Sequence, residues 1–411
     1  MSLEKISHHE DILFEVLARL PKKTQTRFRA TSKKWESLIK AAVSSKTAAK
    51  SLYSGFVWSR YYGEENQKQQ EFYRLTDTKG GFALQHSRSF LFSSMSTATD
   101  VGSCNGVLFY GHGVYGRKNY TYSLYNPFTK QISILPPHYD FKMSHYEYPT
   151  GLGLVFDPNC THNHYKFVVV YWCNYDHLHK SPSHGLTVSI FSSKTGRWET
   201  KQAKLDTATY QYLETSVHDW GASALHFKGN LYWALPLPAC MVVFCMETGT
   251  FEAFELPHPS EDEMMMGVLW ESEGKIFYCQ ICFGDGFCIW VFDEDRGNED
   301  DDLPWRRTYY IDSDTMFSML EGVCEEESRK KGAFFYRVTS FNEHLQIAHL
   351  ETTEGLVRFD VAEKRMTLIG SSTCLKEVGI TYGGVVLPEY PAPVMPSSSS
   401  SKKRKFRYHY W

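Results

Sequence analysis

Ser123 to Pro136 reads SLYNPFTKQISILP, and its plan returns four times further along the chain. An apolar strand ends in an aromatic, a polar turn follows, and a second amphipathic strand closes the unit. The later copies are SIFSSKTGRWETKQ from Ser189, VVFCMETGTFEAFELP from Val242, WVFDEDRGNEDDDLPWRRTYYI from Trp290 and VRFDVAEKRMTLIG from Val357. Their aromatic landmarks Tyr125, Phe191, Phe244, Phe292 and Phe359 lie 66, 53, 48 and 67 residues apart. A turn followed by an apolar strand recurs upstream of some copies, as CNGVLFY at Cys104, FKGNLYW at Phe227 and SEGKIFYC at Ser272. Short runs rich in β-branched and aromatic residues, bounded by turn residues, read as strands. Each paired unit then supplies about four of them.

Four-stranded units recurring near fifty residues point to the blades of a kelch-like β-propeller. Residues 55–390, divided by that period, lead to an expectation of six or seven blades. Helical periodicity is hard to find anywhere between 52 and 390.

The N-terminus has a different character. Glu10 to Ile39 reads EDILFEVLARLPKKTQTRFRATSKKWESLI. Ile12, Leu13, Val16, Leu17 and Leu20 fall on one face of a short helix, which Pro21 stops because its ring clashes with the preceding turn. Ser7 and Glu10 supply a capping signal at its start. A second apolar set, Phe28, Trp35, Leu38 and Ile39, follows over two more short helical segments. Three helices of this size bury little surface alone, so their apolar face calls for a partner.

This stretch resembles the F-box, the helical motif that docks Skp-type adaptors of cullin–RING ubiquitin ligases. Asp11, Glu15, Arg19, Lys23, Thr24, Arg27, Arg29, Ser32 and Lys33 fit its pattern together with the apolar positions above. Departures are His8 and His9 where the family has Leu-Pro, Gln25 at a usually apolar position, and Thr31 before Ser32. The β-rich body resembles the F-box-associated domains of plant F-box proteins. Cys104-Asn105-Gly106, Tyr125-Asn126-Pro127, Gly151-Leu152-Gly153, Phe156-Asp157, Tyr165-Lys166, Ser192 to Trp198 and Asn230 to Trp233 carry that likeness in order. The resemblance implies a small all-α F-box at 1–45 and an all-β propeller at 46–390, while the Pro/Ser-rich basic tail at 391–411 lacks the apolar content to fold and is expected to be disordered. It further implies that Ile12, Leu13, Val16, Leu17, Leu20, Pro21, Phe28, Trp35, Leu38 and Ile39 supply or support the adaptor-facing surface. A cullin and a RING protein would follow through the adaptor, and an unidentified protein substrate would meet the propeller.

Charge is uneven along the chain, whose net value is −3. Residues 1–50 hold 11 Lys/Arg against 5 Asp/Glu, and 397–411 hold five basic residues and no acidic one, leaving −14 for the rest. Such a body is a poor nucleic-acid surface, because phosphate binding rests on clustered Lys/Arg. No 18-residue apolar run and no secretory leader are found, so no membrane contact is expected and the chain is expected in the nucleus or cytoplasm. Lys402, Lys403, Arg404 and Lys405 form a short basic cluster after SSSSS, a nuclear-import candidate on a flexible stem. Ten cysteines without regular spacing read as free thiols rather than a disulfide frame.

Patterns that carry chemistry have better structural readings. Gly111, Gly113 and Gly116 spell G-x-G-x-x-G, but a strand pattern rather than a helix follows, so a hairpin loop is expected. Cys279 and Cys282, with Cys288 nearby, lack a second ligand pair at zinc spacing and are expected on adjacent strands. Cys160, His162, His164, Cys173, His177, His179 and His184 are the densest set of metal-type ligands, yet they match no template and fall mostly in polar loops. Asp293 to Asp302 lacks the Gly at position six and the Glu at position twelve of a calcium hand. No hydrolase, metalloprotease or P-loop signature appears. No catalytic residue, cofactor or metal is therefore expected, and the chain reads as a non-enzymatic adaptor. The second reading is an interaction module whose F-box has degenerated; an enzyme on a propeller body is the third.

Overall fold

A computed structural model describes Lys33, Trp35 and Glu36 and, between 53 and 388, the strands and helices named below with some of the residues that join them. The chain divides into two compact units, Met1–Leu52 and Tyr53–Trp411. The second opens with an antiparallel meander of β1 (Tyr53–Tyr62), β2 (Gln67–Thr78) and β3 (Gly81–Phe90). Five blades of consecutive strands follow. The first is β4 (Val101–Cys104), β5 (Val107–His112), β6 (Thr121–Asn126) and β7 (Gln131–Ile134). The second is β8 (Pro149–Phe156), β9 (Tyr165–Cys173), β10 (Gly185–Ser192) and β11 (Arg197–Gln202).

The third blade takes β12 (Lys204–Leu205) as a parallel outer partner, reached before helix α1 (Thr207–Thr215). Its other strands are β13 (Leu225–Phe227), β14 (Asn230–Pro236), β15 (Ala239–Cys245) and β16 (Thr250–Glu255). The fourth is β17 (Val268–Ser272), β18 (Lys275–Cys282), β19 (Gly286–Phe292) and β20 (Trp305–Ile311). Helix α2 (Ser313–Glu321) leads to the fifth, β21 (Phe335–Asn342), β22 (Ile347–Thr352), β23 (Gly355–Asp360) and β24 (Arg365–Ser371). The last strand, β25 (Val385–Pro388), returns to pair antiparallel with β1 and makes a sixth sheet, β25-β1-β2-β3. Strands β4, β8, β13, β17, β21 and β25 neighbour one another around the ring.

The expectation of six or seven blades is thus corrected to five blades of contiguous chain and one composite sheet. The five repeat copies are the third and fourth strands of those five blades. Dividing length by period overcounts contiguous units, because the composite sheet draws its inner strand from the other end of the chain. The absence of helices from the body is also corrected. Asp206 and Asp312 cap the two helices, accepting the N–H of Thr209 (2.7 Å) and Thr315 (2.8 Å). Met316 and Leu320 of α2 and Leu213 of α1 then bury apolar side chains against the blades.

The blades hold together because a strand turns alternate side chains to opposite faces. On β9, Phe167 and Val169 join a core shared with the first blade, while Val168 and Val170 join one shared with the third. On β18, Phe277, Cys279 and Ile281 face the fifth blade and Ile276 and Tyr278 the third. Three indoles tie neighbouring sheets across these seams. Trp198 donates to the Pro136 carbonyl (2.8 Å), Trp233 to Leu152 (3.2 Å) and Trp305 to Glu255 (2.8 Å). Gly151 and Gly153 make room for this packing on β8. A Cβ on Gly151 would lie 2.8 Å from the Trp220 ring and 3.0 Å from Trp233 Nε1, and one on Gly153 2.6 Å from Leu231.

Trp305 separates hydrogen bonding from packing in one such seam. Trp305→Phe keeps most of the ring and is expected to cost about 1 kcal/mol. Trp305→Ala opens a cavity and is expected to cost about 3–5 kcal/mol. Urea unfolding of the two variants checks the order and the gap.

Candidate functional site

Of the ten positions expected to face an adaptor, Trp35 alone is among the described residues. It is helical and half-buried, with helical, exposed Lys33 before it and helical, half-buried Glu36 after it. Ile12, Leu13, Val16, Leu17, Leu20, Pro21, Phe28, Leu38 and Ile39 lie outside the described residues, as do Lys402, Lys403, Arg404 and Lys405.

The β body has two unlike faces, and its topology shows why. In a blade of four antiparallel strands, the first and third turns open on one face. The second turn and the crossing to the next blade open on the other. The first face carries tight connections such as 193–196, 228–229, 246–249 and 361–364. Several are locked by left-handed backbone, at Gly196 (φ 68°), Lys228 (φ 46°), Gly229 (φ 85°), Gly249 (φ 73°) and Lys364 (φ 49°). The second face receives the crossings from blade to blade, and with them both helices, α1 and α2. Long connections on a rigid scaffold are where binding surfaces concentrate. Asp-x-x-Thr at Asp206 and Asp312 is the sequence signal that could have revealed both helices.

The patterns weighed for chemistry resolve into structure. Gly111 pairs with Tyr122 and His112 with Thr121, so the glycine-rich run starts on a strand, while Gly113 and Gly116 lie outside the described residues. Cys279 and Cys288 sit on adjacent strands, both buried, and burial pushes the Cys279 thiol well above its ordinary range. Cys104 and Cys240 are likewise pushed up to about 12 by burial. Cys104, Cys240, Cys245, Cys279 and Cys288 are free thiols. Among the described residues no group of three or more His, Cys, Asp or Glu side chains could hold a metal. His164 is exposed just before β9, Cys173 ends that strand, and the other members of the His/Cys set lie outside the described residues. Among the described residues no helix is long and apolar enough to cross a membrane.

Comparison with known proteins now defines the class. The F-box domain matches residues 8–44, and the F-box associated beta propeller domain matches residues 74–380. The chain belongs to the F-box proteins with an F-box associated β-propeller; the matching domain is this one rather than a kelch repeat. Relatives are from Arabidopsis thaliana. F-box protein At5g07610 is 23% identical over 77% of this chain and 73% of its own. Putative F-box protein At3g16210 is 28% identical over 61% of this chain and 60% of its own. F-box/LRR-repeat/kelch-repeat protein At2g27520 is 20% identical over 78% of this chain and 82% of its own.

One buried polar pair gives the body a measurable titration. His349 on β22 is buried, and its Nδ1 lies 2.8 Å from Ser340 Oγ on the neighbouring strand. Arg358 pairs with it from the other side, on β23. Burial, with Arg358 adding to it, pushes the imidazole down to about 3. The folded value lies below the unfolded one, so the stabilisation is complete above about pH 6.5. It is lost as pH falls from there toward 3, with a slope of up to about 1.4 kcal/mol per pH unit. His349→Asn is expected to flatten that acid-side loss, as read from unfolding midpoints between pH 7 and pH 4.

Proposed function

We propose that this protein is the substrate-recognition subunit of an SCF-type ubiquitin ligase. The N-terminal unit docks a Skp-type adaptor and, through it, a cullin and a RING protein. The propeller holds a target protein on the face that carries α1, α2 and the long connections. The observation that supports this reading most is the succession of an F-box match at 8–44 and a propeller match at 74–380 in one chain. Such a subunit breaks no bond itself. It converts encounter between target and charged conjugating enzyme into an intramolecular event, raising their effective concentration. The work takes place in the nucleus or cytoplasm, with Lys402–Lys405 as the import signal.

A second reading keeps the propeller as an interaction module but denies the F-box its adaptor. It rests on the polar residues His8, His9, Gln25 and Thr31 at positions where the family pattern differs. An unpaired polar group buried at an interface costs roughly 1–3 kcal/mol. Two of them would weaken docking about a hundredfold or more. Recognition of 8–44 as an F-box despite those residues favours the first reading.

Co-purification of the full chain with a Skp-type adaptor separates the two. Capture at micromolar concentration is expected, and Leu17→Asp is expected to abolish it while the β-sheet circular dichroism signal of the body stays unchanged. A wild-type chain that captures no adaptor would establish the degenerate-F-box reading instead.

A further inference from the structure

The outer strand of the fourth blade carries a constellation that neither the fold nor adaptor docking uses. Along β19 and β20, Trp290 pairs with Arg307, while Ile289 pairs with Tyr309 and Cys288 with Tyr310. The register shifts between Ile289 and Trp290, leaving Thr308 as the extra residue of a bulge. Thr308 Oγ1 fastens it by donating to the Ile289 carbonyl at 3.0 Å.

The bulge has a geometric consequence. Positions 307 and 310 of a regular strand lie on opposite faces. With Thr308 extruded, Arg307 and Tyr310 share the face of Trp290 and Cys288. The Arg307 guanidinium stands 5.6 Å from the centre of the Trp290 ring and 5.0 Å from that of Tyr310. Both distances fall within the reach of a cation–π contact. Arg307 is exposed and Tyr310 is 49% exposed, while Trp290 is half-buried among the side chains of the seam with the third blade. Among the described residues no carboxylate pairs with Arg307.

A bulge on an edge strand can serve simply to discourage pairing with another sheet. That role needs neither an exposed tyrosine nor an arginine held over two rings. Arginine, tryptophan and tyrosine are the residues that dominate binding hot spots. A guanidinium whose face is occupied by aromatic rings keeps its N–H edge free for a planar, two-pronged acceptor.

We propose that Arg307, held by Trp290 and Tyr310, is a docking site for an acidic segment of a partner protein. A Glu or Asp carboxylate takes the guanidinium edge, and its aliphatic stem lies against the exposed Tyr310 ring. Charge complementarity selects this occupant, since among the described residues no carboxylate pairs with Arg307. Phosphate readers generally gather several arginines, and here only one is on the face, because Arg306 points to the opposite side. A nucleic acid would need several Lys/Arg along its phosphates, which a single arginine does not supply. The β19–β20 hairpin is closed by the Asp293 N–H, which donates to the Pro304 carbonyl (2.8 Å). The proposal stands independently of whether the N-terminal unit docks an adaptor.

The test is fluorescence anisotropy of the full chain with a labelled Glu-rich peptide, its Gln counterpart and a phosphoserine peptide. The Glu peptide is expected to bind and the Gln peptide not to. Arg307→Gln is expected to weaken binding about tenfold or more, and Arg307→Lys about fivefold, because lysine keeps the charge but not the fork. Tyr310→Ser serves as a second, independent disruption and is expected to weaken binding several-fold. Arg306→Gln removes the same charge from the opposite face and is expected to change affinity less than about twofold. Circular dichroism melts confirm that each variant is folded. The proposal is overturned if the folded wild type fails to bind the Glu peptide, or if Arg307→Gln binds it as well as wild type does, as capture by the basic ends of the chain would produce. Equal losses in the Arg306 and Arg307 variants, or a preference for the phosphoserine peptide, overturn it as well.

Discussion

The described blades depend on one constraint, apolar sheet faces packed against one another around a ring. No blade could keep its core dry alone. Val168 and Val170 on one side of β9, and Phe167 and Val169 on the other, need two different neighbours to leave water. Burial of each such side chain is worth roughly 1.5–3 kcal/mol, so the blades stand or fall together. The indole bonds of Trp198, Trp233 and Trp305 add direction to a non-directional force. Each reaches a backbone carbonyl of the preceding blade and so fixes how far one sheet can slide on the next.

A ring built this way must close. The pairing of β25 with β1 brings residues near 386 against residues near 56, so the first and last parts of the body share one sheet. Without it, β21 and β4 would each lack the inner-strand neighbour that β25 provides. The long-range contact costs loop-closure entropy, but that cost grows only slowly with chain length. Closure therefore adds little to the cost of ordering the chain, and it ties the two ends of the domain together.

What could be read from the letters follows from the range of the interaction behind each feature. The five copies beginning at Ser123, Ser189, Val242, Trp290 and Val357 are hairpins, whose alternation and turns are local, and all five are strand pairs in the structure. The hairpin turns at Lys228-Gly229 and Gly274 were legible for the same reason, since their backbone requires what their residues permit. The partner of β25 was not, because VVLP carries no mark of the strand it will join over three hundred residues away. The helices α1 and α2 were hidden by their shortness, and their Asp caps were the surviving signal. At the candidate site on β20, the residue types were visible but the bulge was not. WRRTYYI read as an ordinary strand separates Arg307 from Tyr310, and only the register brings them together.

The same architecture explains how one family scaffold can serve a recognition role. Adjacent blades pack through residues whose volumes are fixed by their neighbours; Gly151 and Gly153, pressed against Trp220, Trp233 and Leu231, leave no freedom for change. The tight turns on one face are similarly constrained by left-handed backbone at Gly196, Gly229 and Gly249. Freedom remains where chain leaves one blade for the next and along the outer strands, whose outward side chains contribute little to the seams. Insertion of α1 and α2 into two of those crossings alters the loop-rich face without disturbing the strand pairing beneath it. A bulge in an outermost strand does the same for the rim, because its far edge has no ladder to break. Specificity can thus vary at the face and the rim while the ring that presents it stays rigid, which is the physical requirement for holding one protein within reach of another.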